Sequence, residues 1–371
     1  MKKTFVLSTI LISSIFAGKY FSNKACSECH EKIYDEYKSS AHAKNYFNDE
    51  LHRKIADSVS RKSYKCATCH SPIANNLNEL ISGDARPDKS NKSHTDAISC
   101  YFCHTIAYVK KSHKFNINVP SKQAEGYKPT LYGGLDNPED SDKHSSVKNP
   151  IYAKKVCLGC HSHKLNDNNV TIFRAVEPSQ DSRECIKCHM PKVSGGVEKM
   201  NKRSRSHHLS HKFLGIYDRE FRKKGVDINI STKQDEIDIT LKNKMGHPLI
   251  IQPARVKYLR VKVIRDGKVV WQNYKKNPKE DKGAFFELRF RDKSGKRVII
   301  PANAYSRESN NLDINETKTL KYRDIELKKG DIIEVTLFVR FAKEDCLSVI
   351  DLKDSKFKRA EIIKSLKKVV N

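Results

Sequence analysis

Acidic residues are scarce in this chain. Its 371 residues hold 44 Asp and Glu against 71 Lys and Arg, a formal net charge of +27. That deficit points to acidic partners or anionic lipid, or equally to nothing more than a lysine-rich proteome. Methionine is scarcer still, four residues with Met1 included, so thioether ligands for a soft metal are nearly absent. Beyond the first residues no segment is apolar for the ~20 positions that a bilayer span requires. Unpaired cysteine is almost missing: of eleven cysteines, Cys346 alone stands outside a Cys-x-x-Cys spacing. A small apolar residue is its simplest reading.

The chain opens Met1-Lys2-Lys3 and runs apolar from Phe5 to Ala17. A basic start followed by a short apolar run is the pattern of a secretory signal peptide, here residues 1–17, with cleavage near Ala17 or Gly18. The run is too short for a retained anchor, and Ser8, Ser13 and Ser14 interrupt it. The expected location is the periplasm, and a cell-surface position is compatible with the same signal.

The paired cysteines carry the chemistry. Five segments read Cys-x-x-Cys-His: Cys26 to His30, Cys66 to His70, Cys100 to His104, Cys157 to His161 and Cys185 to His189. Each is the attachment signal for a c-type haem. Two thiols at this spacing add to the two vinyl groups of one porphyrin, and the histidine is placed to bond its iron. A disulfide framework would not set a histidine after every pair, and zinc ribbons need two cysteine pairs per site. The cofactor expected is five covalently bound haem c, held by Cys26, Cys29, Cys66, Cys69, Cys100, Cys103, Cys157, Cys160, Cys185 and Cys188. His30, His70, His104, His161 and His189 are the proximal ligands. The propionates of five haems add about ten negative charges, which leaves the holoprotein basic but less so.

Two halves differ in texture, which predicts a multidomain α+β chain. All five motifs and fourteen of the fifteen histidines precede residue 212. Breakers such as Ser71-Pro72 and Gly133-Gly134 interrupt this half. About forty residues per haem are too few for an ordinary core, so the porphyrins must supply the buried apolar surface. Residues 18–215 are expected to form a mostly helical and irregular pentahaem domain, with one helix from Glu31 to about Tyr46. From Val226 the pattern turns to period-two alternation, as in Ile237, Ile239, Leu241 and again in Ile333, Val335, Leu337, Val339. Asp266-Gly267 is a hairpin signal, and Ser294-Gly295 and Gly330-Asp331 mark turns. Roughly seven or eight strands without intervening helices predict an antiparallel β-sandwich over 226–345. Residues 352–371 read as a basic helix, with Phe357, Ile362, Leu366 and Val369 on one stripe, docked on its own domain or touching a membrane or an acidic partner.

Ten histidines remain after the five proximal ones. That surplus, with methionine so scarce, makes bis-histidine coordination and low potential the expectation. The stretch Cys26-x-x-Cys29-His30 followed by Tyr37-Lys-Ser-Ser-Ala-His42-Ala resembles the opening of the cytochrome c-554 family. The order of the next three motifs is similar too, with His113 shortly after His104. The resemblance covers residues 24 to 215. It implies that His42 caps the third haem and His113 the first. Asp142-Lys-His144 and His211-Lys-Phe-Leu-Gly215 resemble distal-ligand segments of larger multihaem relatives. Asn243-Lys-Met-Gly-His247-Pro248 is similar to the start of β-domains appended to such cytochromes. His42, His113, His144, His211 and His247 are thus the candidate distal ligands. A fifth motif and the β-domain depart from the tetrahaem pattern.

Electron transfer between redox partner proteins, acidic ones by charge, is the leading expectation. The alternative is an oxidoreductase acting on a small nitrogen or sulfur compound at one open haem, the second (His70) by resemblance. No motif ends in lysine, as the catalytic haem of pentahaem nitrite reductase does. No catalytic acid or base is identifiable. A third reading makes 226–371 a docking module. Nucleic acid is not an expected partner of an exported haem protein, and the oligomeric state is open.

Overall fold

The computed structural model describes residues 20–124, 127–177, 179–180, 182–195, 205–353 and 355–371. The signal segment lies outside them. No helix among the described residues is long and apolar enough to cross a membrane.

The chain divides into two compact units. The first comprises the residues up to Val109, Asn118–Val156 and Pro191–Phe213; the second comprises Lys110–Ile117, Cys157–Met190 and Leu214–Asn371. A single haem domain over 18–215 was the expectation. The fourth and fifth motifs instead fold with the strands. Local ties explain it: Asn166 donates to the carbonyls of Pro301 and Ala304, and Val170 is buried in the strand core.

The first unit is built of short helices. Its longest are α1, Glu31–Lys38, and α2, Glu50–Val59. The helix expected to reach Tyr46 stops at Lys38, and Ala41–Ala43 forms one separate 3-10 turn. Ser39 and Ser40 intervene, and such residues bond the backbone locally and favour helix ends. Tyr37, buried on the inner face of α1, donates to the Asp96 carbonyl. Two apolar clusters among the described residues are small. One gathers Tyr46, Ala56, Tyr64, Ala67, Ala74 and Leu80; another gathers Ile73, Phe102 and Ile106.

The second unit holds ten strands from residue 226 onward: β1 (Val226–Lys233), β2 (Glu236–Asn243), β3 (Val256–Arg265), β4 (Lys268–Gln272), β5 (Phe285–Arg291), β6 (Arg297–Val298), β7 (Ser306–Asn310), β8 (Thr317–Tyr322), β9 (Ile332–Arg340) and β10 (Glu361–Val369). One sheet has the order β8-β2-β1. The other runs β6-β5-β3-β9-β10, with β4 on β3 and β7 on β5. Every pair is antiparallel. Ile237, Ile239 and Leu241 of β2 meet Leu259, Val261, Val263, Ile333, Val335 and Leu337 in one core. This is the face-to-face packing of a sandwich. Strand β3 is buried on both faces, because Val256 and Tyr258 join a second cluster with Tyr274 and Phe285. Asp266 and Gly267 both take left-handed φ, +50° and +74°, as a two-residue hairpin of matching twist requires.

The tail corrects the sequence reading. Residues 361–369 form strand β10, paired to β9, and the one helix near them is the short Ser355–Lys358. The open edge of β9 offers a row of unpaired backbone groups. Satisfying them outweighs the weak helical stripe, and Ile362, Ile363 and Val369 are β-branched. The lysines then fit a strand. Lys364 donates to the Val226 carbonyl and Lys368 to that of Ile230.

Asp331, buried at the start of the β9 turn, accepts both Nε and Nη2 of Arg265 at 2.9 Å. Arg265 holds its carboxyl below the ordinary range. A depressed carboxylate contributes stability above its unfolded pKa of ~3.9 and loses it as pH falls through the folded value. Thermal melts should therefore show the transition temperature of the second unit falling below about pH 4. Asp331→Asn should start lower and change less over that window; an unchanged pH slope in the variant would refute the assignment.

Candidate metal centres

A helical turn explains the motif geometry. The histidine amide bonds back to the first cysteine carbonyl in His30 to Cys26 (3.0 Å), His70 to Cys66 (3.0 Å) and His161 to Cys157 (2.9 Å). Positions i, i+3 and i+4 of a helix share one face, so both thiols and the imidazole point the same way. Thiols of different motifs also meet. Cys100 donates to the Cys26 sulfur, which lowers the Cys26 thiol and raises that of Cys100. In the second unit Cys157 donates to Cys185, which falls to about 7. The first and third motifs therefore present adjoining sulfur edges, and so do the fourth and fifth.

Three proximal imidazoles have a second imidazole standing opposite. Ring centres are 6.3 Å apart for His30 and His144, 6.3 Å for His104 and His211, and 6.4 Å for His189 and His247. Direct stacking is closer: His52 lies 3.8 Å from His70. A metal–nitrogen bond of about 2 Å on each side, plus ~1.1 Å from nitrogen to ring centre, places two axial imidazoles ~6.2 Å apart. The observed spacing fits one metal ion between each pair.

Hydrogen bonds orient these rings. His104 Nδ1 bonds the Tyr132 carbonyl at 2.7 Å and His211 Nδ1 the Leu209 carbonyl at 2.9 Å. His189 Nδ1 bonds the Leu214 carbonyl at 2.5 Å and His247 Nδ1 that of Pro248 at 2.9 Å. A carbonyl only accepts, so each ring carries its proton on Nδ1 and turns a bare Nε2 lone pair toward its partner. Burial favours the neutral form of three of them. It lowers His104 and brings His211 and His247 down to about 4.

Local structure supplies these placements. In the first unit Thr130–Gly133 pairs in parallel with Ser145–Lys148. That pair delivers the Tyr132 carbonyl and sets His144 at its edge. Lys192–Ser194 pairs with His207–Leu209, just ahead of His211. Glu36 of α1 clamps the turn, accepting from the His211 amide at 2.8 Å and from the nearly buried His208 at 3.1 Å. Burial works to raise the Glu36 carboxyl; the His211 amide and His208 outweigh it and hold it low.

The carried-over distal roles fare differently. The ring opposite His104 is His211 rather than His42, whose ring meets Phe213 edge-on at 4.4 Å. The ring opposite His30 is His144 rather than His113, which is exposed and bonds Asn169. The reason is the fold of the β-hairpins, which no local motif encodes. Other histidines have structural bonds. His94 accepts from the Asp88 amide and bonds Asn76, and His163 bonds the His113 carbonyl. Sequence reasoning missed the carbonyl orienters Tyr132 and Leu214, since backbone acceptors leave no residue signal. It also missed Glu36.

The comparisons follow this geometry. The family model described as cytochrome c554 and c-prime matches residues 25–105. The fold is similar to the crystal structure of a penta-heme cytochrome c552 from Thermochromatium tepidum. That match has a TM-score of 0.76 at 21% identity, covering 94% of this chain and 99% of the other. No curated protein matches the chain in sequence. The match over residues 25–105 and the five Cys-x-x-Cys-His turns support a multihaem c-type cytochrome. Such a cytochrome would hold haem c covalently through the thiols of its Cys-x-x-Cys-His turns. The chain's α+β architecture, with short helices before an antiparallel strand region, is that of the solved relative.

Proposed function

We propose that the cytochrome is a periplasmic electron carrier holding five haem c groups, of which the first, third and fifth have the axial pairs His30/His144, His104/His211 and His189/His247. The observation that carries this reading is the recurrence of a 6.3–6.4 Å imidazole spacing at three separate proximal histidines. Haem c supplies the one-electron ferric–ferrous couple. The protein's own part is to close both axial faces, fix the ring tautomers and exclude water. Two imidazoles per iron favour low potential and leave no coordination position for a substrate. The adjoining Cys26/Cys100 and Cys157/Cys185 sulfurs support edge contact between haems one and three and between haems four and five, the arrangement that tunnelling needs. The penta-heme character of the solved relative and the five motifs support the count. The lysine-rich surface favours acidic redox partners, with docking that weakens in salt.

Two measurements test the proposal. Mass spectrometry of the mature protein should find the increment of five haems and the loss of residues 1–17. EPR of the oxidised protein should show low-spin ferric signals for the three paired irons. A high-spin spectrum at all irons, with nitric oxide binding throughout, would replace the carrier by an enzyme.

A further inference from the structure

Two cations in the second unit, one buried and one half-buried, have no counter-charge among the described residues. Lys257, on β3, is 6% exposed and donates from Nζ to the Leu249 carbonyl at 2.6 Å. Burial and the nearby Arg255 push its ammonium down to about 7. Arg183, two residues before Cys185, donates to Gln180 from Nη2, while its Nε is buried with no hydrogen-bond partner. Its Nη1 lies 3.6 Å from where a Cβ on Gly246 would stand. Both side chains thus reach the segment around His247, Arg183 against Gly246 and Lys257 on the Leu249 carbonyl. A buried ammonium satisfied by one carbonyl, and a guanidinium with a buried idle donor, are each strongly unfavourable unless an anion completes the site.

We propose that Lys257 and Arg183 bind a propionate carboxylate of the porphyrin held between His189 and His247. The inference rests on the axial pair proposed above. A propionate is an ionised carboxylate carried by the haem itself, so it brings the missing anion wherever the ring is seated. Lys257 gives it a point charge and Arg183 a planar donor edge. The pair thereby ties β3 and the segment ahead of the fifth motif to one edge of the macrocycle. It also sets the potential. A cation beside the haem disfavours the ferric charge, so losing it lowers the midpoint of that iron alone.

The test uses holoprotein whose full haem load is verified by mass. Redox titration followed by EPR reads each low-spin iron, and resonance Raman reads the propionate bending band. His247→Ala first identifies the signal belonging to this iron. Lys257→Met should shift that signal's one-electron equilibrium about tenfold toward ferric, which is about 59 mV, and move the propionate band. Lys257→Arg should restore both. Arg183→Gln should move the same signal in the same direction and decides the matter if Lys257→Met does not accumulate. Unchanged midpoints and an unchanged band in these variants would overturn the proposal while leaving the axial pair standing. If His247→Ala removes no low-spin signal, the axial reading fails and the proposal falls with it.

Discussion

The His211→Ala variant is expected to convert one iron's worth of low-spin ferric signal to high-spin, and to let the reduced protein bind carbon monoxide at that iron. His211 stands 6.3 Å from His104, its Nδ1 tied to the Leu209 carbonyl. Removing the ring opens one axial face without touching the thioethers or His104. The expected effect is all-or-none for one centre, because a five-coordinate iron has a different spin state rather than a slightly altered one. His144→Ala should do the same at the first haem. His113→Ala is the control, since this exposed ring bonds Asn169 and faces no proximal imidazole. EPR and optical titration with carbon monoxide check all three. A low-spin count unchanged in His211→Ala would show that another residue caps the third iron.

Haem-free protein is expected to lose the first unit and keep the strands of the second. In the first unit the apolar clusters comprise a few side chains each, around Tyr64 and Leu80 and around Phe102 and Ile106. At ~1.5–3 kcal/mol per fully buried side chain they do not offset ~1–2 kcal/mol of backbone entropy for each ordered residue. The macrocycles must supply the rest. The second unit has its own core: Ile237, Ile239, Leu259, Val261, Phe286, Val335 and Leu337 are essentially inaccessible. Hydrogen exchange on protein expressed without haem attachment should show rapid exchange through residues 20–109. Protection should persist in β2, β3 and β9. Protection of the early segments in the colourless protein would refute the idea that porphyrin replaces the protein interior there.

These two expectations draw on different kinds of information, and the residues show where each came from. The five cysteine pairs with their histidines are local chemistry. A reader of the chain alone knows which thiols attach haem, because the i, i+3, i+4 spacing is itself the geometry of one helical turn. The alternation in β2, β3, β5 and β9 was legible for the same reason, since strand periodicity writes burial directly into neighbouring positions. The Asp266-Gly267 hairpin likewise needed only its two left-handed residues.

Where the chain comes back on itself, the sequence ran out. Residues 361–369 carry a weak helical stripe, yet they form a strand, because the exposed edge of β9, the strand before them, demanded a partner. The fourth and fifth motifs look like the first three, yet they fold with the sandwich through Asn166, Val170 and His247. His42 and His113 had the better local context, but His211 and His144 face the rings of His104 and His30. Local order thus settled which groups bind porphyrin and which strands alternate. Only the tertiary fold decided which imidazole meets which, because each such pair is a contact between residues more than fifty positions apart, set by hairpins and backbone carbonyls with no signature of their own.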